Sequence, residues 1–212
     1  MFCFSLVLLA SCAPVRYESY PKATHAVASW YGPDFHGRPT SSGELFDMYA
    51  LTCAHKDYPF GTKLKVTNVL NNKTVDCIVN DRGPFVSERD LDLSYGAAKE
   101  IGLIGPGTGK VKIEYAGRDN SYIKDVRYIP ASKGPFTLQV GSFRELSNAM
   151  RLKMAIELKY NTVYITVAEI DGSKYYRVRI GKFTIKEEAY RYAKTLADEG
   201  YSVLITSYDE KI

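Results

Sequence analysis

In the middle of the chain, apolar and polar positions alternate in short runs: Lys63 to Asn68, Thr74 to Asn80 and Lys110 to Glu114. A two-residue period suits a strand with one face in a core and the other in water. Gly, Pro and Asn punctuate these runs, and the Asn71-Asn72 pair between two of them is a hairpin turn signal. Only Tyr95 to Ile101 has helical spacing in this half, and it is short. From residue 25 to 116 the pattern therefore predicts a compact all-β barrel.

From 117 to 134 the pattern lapses into charges, Asn, Ser, Pro and Gly, which is how a linker between domains reads. Beyond it, over 135 to 212, the period changes. Phe136 to Val140 is strand-like, Leu146 to Leu158 has helical spacing, and Thr162 to Ile170 and Lys174 to Ile180 alternate. Glu187 to Leu196 is helical again, and Tyr201 to Ile205 is a strand. The order β-α-β-β-α-β is also an internal repeat. Val140-Gly141-Ser142-Phe143 recurs as Ile180-Gly181-Lys182-Phe183, and Val163-Tyr164-Ile165-Thr166 as Val203-Leu204-Ile205-Thr206. Such a ferredoxin-like α+β arrangement predicts a four-stranded sheet with both helices on one face and the other face free. The chain has 212 residues, enough for two small domains with separate cores.

The first twelve residues carry an apolar run, Phe4 to Ala10, too short to span a bilayer. Residues 1–12 therefore read as a signal peptide, although the basic segment that ordinarily precedes the apolar run is missing. Leu9-Ala10-Ser11-Cys12 resembles the bacterial lipobox, which implies that Cys12 is acylated and that the polar residues 13–24 tether a domain to a membrane. Ala13 is not the aspartate that retains lipoproteins in the inner membrane, so the resemblance implies an outer-membrane anchor facing the periplasm.

Composition narrows the function. A net charge of +4 is too weak a footprint for nucleic acid. Tyrosine is abundant, 17 against the single Trp30, and exposed tyrosines suit sugar faces. The three histidines have no ligand-like spacing to the cysteines, so no metal site is expected. Cys3 leaves with the signal and Cys12 is assigned to lipid, which leaves Cys53 and Cys77. In an oxidising compartment they could join, while Cys77 lies in the apolar register of Val75 and Val79, so two buried thiols are equally compatible.

Chemistry concentrates in the barrel region. A carboxyl can donate a proton in one step and take one back in the next, so the carboxyl residues here are the candidates for acid and base chemistry. Asp81 ends an apolar strand just before Gly83-Pro84, where a carboxyl would be partly desolvated, and it is the first candidate for acid and base. Its alternative role is to cap the turn and pair with Arg82. Glu44, after Gly43 in a polar loop, is the second carboxyl. His55 suits a catalytic or a structural role equally. Tyr31, beside Gly32, offers a stacking platform for a sugar ring, Arg82 is a substrate contact, Trp30 leans towards the core, and Asp92 is expected to be structural.

These residues lie within an ordered set of motifs: Ala28-Ser29-Trp30-Tyr31-Gly32, Phe35-His36-Gly37-Arg38-Pro39-Thr40, Ser42-Gly43-Glu44, Ala54-His55-Lys56, Pro59-Phe60-Gly61-Thr62, Asn80-Asp81-Arg82-Gly83-Pro84-Phe85 and Asp92-Leu93-Ser94. Together they resemble the six-stranded double-psi β-barrel of the rare lipoprotein A family of lytic transglycosylases. The resemblance implies cleavage of peptidoglycan glycan strands without a cofactor. The muramic acid's own hydroxyl is the nucleophile and an anhydro sugar is the product, with Asp81, Glu44 and His55 tied to activity. The C-terminal repeat resembles the SPOR domain, which binds glycan stripped of stem peptides and here would use Gln139, Ser142, Tyr175 and Arg177. This layout implies a septal lipoprotein acting in cell separation. A non-catalytic wall-binding lipoprotein is the main rival, and an expansin-like wall-loosening protein a weaker one.

Overall fold

The computed structural model describes residues 23–130 and 134–208. The lipidation expected at Cys12, with the signal and nearly all of the tether, lies outside them.

Six strands close into a barrel. They are β1 (Thr24–Tyr31), β2 (Thr52–His55), β3 (Thr62–Asn68), β4 (Thr74–Asp81), β5 (Leu91–Ser94) and β6 (Thr108–Arg118), in the spatial order β1-β5-β2-β4-β3-β6. The alternation read from the sequence is what fills it. Leu64 and Val66 of β3, Val75, Cys77 and Val79 of β4, and Val111 and Ile113 of β6 are buried, while Lys65 and Asp76 between them are exposed. β3 and β4 form the expected hairpin, and Asn72 takes the positive φ of 59° that its turn requires. The short helix α1 (Tyr95–Glu100) begins where the Ser94 hydroxyl accepts the Ala97 amide. Cys53 on β2 and Cys77 on β4, parallel neighbours, are joined in a disulfide with Cα atoms 6.0 Å apart. Of the two arrangements compatible with the sequence, the structure has the covalent one.

The second unit is a sheet of five strands, not four, in the order β7-β11-β8-β10-β9. Its strands β8 (Phe136–Phe143), β9 (Val163–Ile170), β10 (Ser173–Phe183) and β11 (Val203–Ser207) alternate with α2 (Leu146–Glu157) and α3 (Lys186–Asp198) as the repeat predicts. The extra strand, β7 (Val126–Tyr128), comes from the stretch expected to be linker. It pairs in parallel with β11, placing Val126 beside Val203 and Tyr128 beside Ile205. Three residues are too few to stand out by periodicity, and a sheet edge supplies the order that their composition does not. Ala149, Leu152, Ala155 and Ile156 of α2 and Ala189, Ala193, Leu196 and Ala197 of α3 cover Leu138, Val178, Ile180, Val203 and Ile205. The repeat has a packing reason: Phe143 and Phe183 each lie over the glycine two residues before them, where a Cβ would meet the ring at 2.7 and 2.6 Å.

The two units are packed together. Gly200, at φ +102°, brings the second unit so close to the first that a Cβ would lie 2.9 Å from that of Phe60. The Phe60 amide donates to the Glu199 carbonyl at 2.9 Å, and the Lys159 ammonium donates to the Asp57 carbonyl at 2.7 Å.

Candidate active site

A cavity of about 260 Å³ opens where β4 ends, between the barrel and α2. Asp81 lies on its wall because it is the last residue of β4, directly after the buried Val79 and Asn80. The backbone N–H groups of Ser41 and Arg82 both donate to Asp81 Oδ1 at 2.8 Å. Desolvation pushes this carboxyl above its ordinary value, and a hydrogen bond from the Ser41 side chain, the two backbone hydrogen bonds and the charge of Arg151 pull it partly back. The result is a fixed carboxyl biased towards its protonated form.

Arg82, expected as a substrate contact, borders the cavity, but its side chain is fully buried. The guanidinium stacks 3.9 Å from the Phe60 ring centroid, and Nε donates to the Tyr201 hydroxyl at 2.9 Å. Nη1 donates to the Tyr58 carbonyl at 2.9 Å, and Nη2 lies 3.9 Å from Glu199. Successive residues of an extended strand point to opposite sides, so Asp81 in the cavity sends Arg82 into the seam between the units. The charge pairing of Asp81 with Arg82 does not form.

Glu44 is exposed. Its Oε2 accepts the Asn80 side-chain amide at 3.0 Å and the Ser42 hydroxyl at 3.4 Å, and the Tyr122 phenol faces it. It is thus tied to the residue next to Asp81 but is not on the cavity wall. His55 is on neither side of the reacting space. Its Nδ1 accepts the amides of Asp57 and Tyr58 at 3.0 and 3.3 Å, its ring packs on Tyr58, and burial lowers its pKa to about 4. That leaves a neutral imidazole with its proton on Nε2.

Tyr31 does line the cavity, stacked on Phe46 with centroids 4.3 Å apart. Burial raises its phenol well above the usual value, and the nearby Asp81 charge adds to the rise. Trp30 packs against the barrel core and the edge of Tyr95. Asp92 is expected from the sequence to be structural. It also lines the cavity, where it accepts the Ser29 hydroxyl and lies 4.0 Å from Arg89. A charged residue entering a short strand has no sequence signature that separates a structural role from a cavity role.

On the second unit, strand register places Ser142 opposite Arg177, and Arg177 opposite Thr166. Gln139 stands opposite Arg179 and Tyr175 opposite Ala168, so Gln139, Ser142, Tyr175 and Arg177 share the sheet face away from the helices. Arg177 Nε is buried there with no partner, and the Arg144 guanidinium lies 5.7 Å from the Tyr175 ring. Among the described residues there is no cluster of three or more side chains able to hold a metal.

The closed barrel that carries Asp81 and the repeat-built sheet domain after it each match a known family, a lytic transglycosylase domain followed by a SPOR domain. Residues 23–115 match the family model described as lytic transglycolase, and residues 132–207 match the SPOR domain model. The chain is 38% identical over 196 residues to the endolytic peptidoglycan transglycosylase RlpA of Campylobacter jejuni, covering 84% of this chain and 70% of that one. It is 36% identical to the RlpA of Helicobacter pylori strain J99 over 79% of this chain and 59% of that one. The Vibrio cholerae RlpA is 37% identical over 82% of this chain and 65% of its own length. The chain belongs to the RlpA family. Among solved structures, apo Clavibacter michiganensis expansin aligns at a TM-score of 0.37 and 13% identity, covering 85% of this chain and 77% of that one.

Proposed function

We propose that this chain is an endolytic lytic transglycosylase that cuts the bond between N-acetylmuramic acid and N-acetylglucosamine in peptide-stripped peptidoglycan, leaving 1,6-anhydro-muramic ends. The single observation that carries this reading is Asp81: a carboxyl held by two amides, raised by desolvation and opening on a cavity that Arg82 does not neutralise. Protonated Asp81 gives its proton to the bridging oxygen as the C1–O bond breaks. The resulting carboxylate then takes the proton of the C6 hydroxyl as that oxygen bonds to C1. The proton returns to Asp81 and no water is consumed. Asp92, on the same cavity wall and fixed by the Ser29 hydroxyl, favours the positive charge that develops at C1. Glu44 acts through Asn80 in shaping the loop beside Asp81, and His55 serves as a neutral support for the Tyr58 turn.

The finer fold reading, a double-psi barrel followed by a ferredoxin-like SPOR unit, is supported by the parallel β1–β5 and β2–β4 pairs and by the β-α-β-β-α-β order. The open sheet face with the unpartnered Arg177 Nε supports retention on stripped glycan. A lipid anchor at Cys12 in the outer membrane, with the chain facing the periplasm at the septum, completes the proposal.

Incubation with amidase-treated sacculi, followed by mass analysis of soluble products, tests it. Anhydro-ended fragments, lighter by one water than hydrolysis products, are expected. Reducing ends would make the protein a hydrolase, and no release would leave a wall-binding protein.

A further inference from the structure

The cavity is not made by the barrel alone. Phe143, Asn148, Arg151 and Leu152 of the second unit form part of its wall, facing Tyr31, Asp81 and Asp92 across it. Arg151 is held in place from both units. Its Nη2 donates to Asn148 Oδ1 at 2.6 Å, one turn back on α2, and its guanidinium lies 5.6 Å from the ring of Phe35, a barrel residue. Its charge reaches Asp81, as the pull on that carboxyl indicates.

The charges around the cavity can be matched off one by one. Arg82 is engaged in the seam with Glu199, Tyr201 and Phe60. Arg89 lies 4.0 Å from Asp92 and donates to Ser29. Asp81 is biased towards its neutral form. Among the described residues, Arg151 is left as the cation on the wall whose partners are one amide oxygen and one ring, neither of them an anion. A guanidinium fork half used and oriented into a cavity is suited to a carboxylate, which it can grip through two parallel hydrogen bonds.

We propose that the second domain completes the cleavage groove, and that Arg151 is a positioning residue that grips the lactyl carboxylate of the muramic acid being cut. The inference rests on the transglycosylase reading above. On a stripped strand that carboxylate is the anionic group of each muramic acid, whereas on a peptide-bearing strand it is an amide and carries no charge. It hangs from the same ring whose C1 is attacked, so an ion pair there sets that ring in register with Asp81. The groove itself thus distinguishes stripped from substituted strands, separately from the open sheet face.

The test compares the wild-type chain with Arg151→Ala and Arg151→Lys on two substrates. One is peptide-free glycan from amidase-treated sacculi; the other is the same glycan with its lactyl carboxyls converted to methylamides. For Arg151→Ala we expect KM on the charged glycan to rise about tenfold, kcat to stay within about twofold, and the methylamide glycan to be cut like wild type. Arg151→Lys should recover part of the loss. Retention on intact sacculi should be unchanged, which separates the groove from the sheet face. Equal KM values for wild type and Arg151→Ala on charged glycan, or an equal loss on both substrates, would overturn the inference while leaving the cleavage reading intact. A wild-type chain that cuts neither glycan would instead overturn the cleavage reading, and this inference with it.

Discussion

Asp81 and Arg82 are adjacent in the chain yet serve different surfaces: the carboxyl faces the cavity, while the guanidinium lies over Phe60 and beside the second unit's Tyr201. One strand end therefore supplies both the reacting acid and the clamp that holds the two units together. The separation matters chemically, because an arginine paired with Asp81 would keep it ionised and remove its proton.

Asp81→Asn should lower cutting by about 10²- to 10⁴-fold while leaving binding to sacculi unchanged, as measured by release of soluble fragments and by co-sedimentation. The wild-type pH profile carries the same information. Asp81 must be protonated to act as the acid, and its pKa is raised, so kcat/KM should fall as pH rises through a value above the ordinary aspartate range. An alkaline limb at or below that range would remove Asp81 from the role.

Arg82→Leu should destabilise the folded chain by about 3 kcal/mol, since it removes the donors to the buried Tyr201 hydroxyl and to the Tyr58 carbonyl, and one of the two cations beside Glu199. Arg82→Lys should recover little, because an ammonium cannot lie flat on Phe60 while reaching both Tyr201 and the Tyr58 carbonyl. Urea unfolding with a shared m-value would measure both.

His55 gives the opposite linkage to a paired histidine. Its folded pKa is lowered to about 4 by burial, below the usual 6.5, so the unfolded chain binds the proton more readily between those values. Stability attributable to it is complete above pH 6.5 and is lost as pH falls towards 4, by about 3 kcal/mol in all. A His55→Gln variant should have a flatter Tm profile over that range. If its profile parallels wild type, other groups account for the acid sensitivity.

Joining Cys53 to Cys77 closes a loop of sequence separation 24, worth about 3 kcal/mol by restriction of the unfolded chain. Replacing both by Ala, or adding reductant, should lower Tm, and non-reducing mass measurement should find the two thiols blocked. Two free thiols with an unchanged Tm would contradict the pairing.

Much of this molecule is legible in its order of residues. Alternation along 63–68, 74–80 and 110–114, the helical spacing in 146–158 and 187–196 and the repeat about Gly141 and Gly181 each report local burial, which a one-dimensional pattern records directly. Asp81 could be singled out because an apolar strand running into Gly83-Pro84 implies a desolvated end. The edge strand β7, the closeness of the units through Gly200, the opposed directions of Asp81 and Arg82, the entry of Asp92 and Arg151 into one cavity, and the neutral, backbone-bound His55 could not be read that way. Each depends on residues far apart in the chain meeting in space, as Arg82 meets Tyr201 across 119 positions. Local pattern sets which side chains leave water, but which charge faces which is decided only when the barrel and the second sheet close on one another.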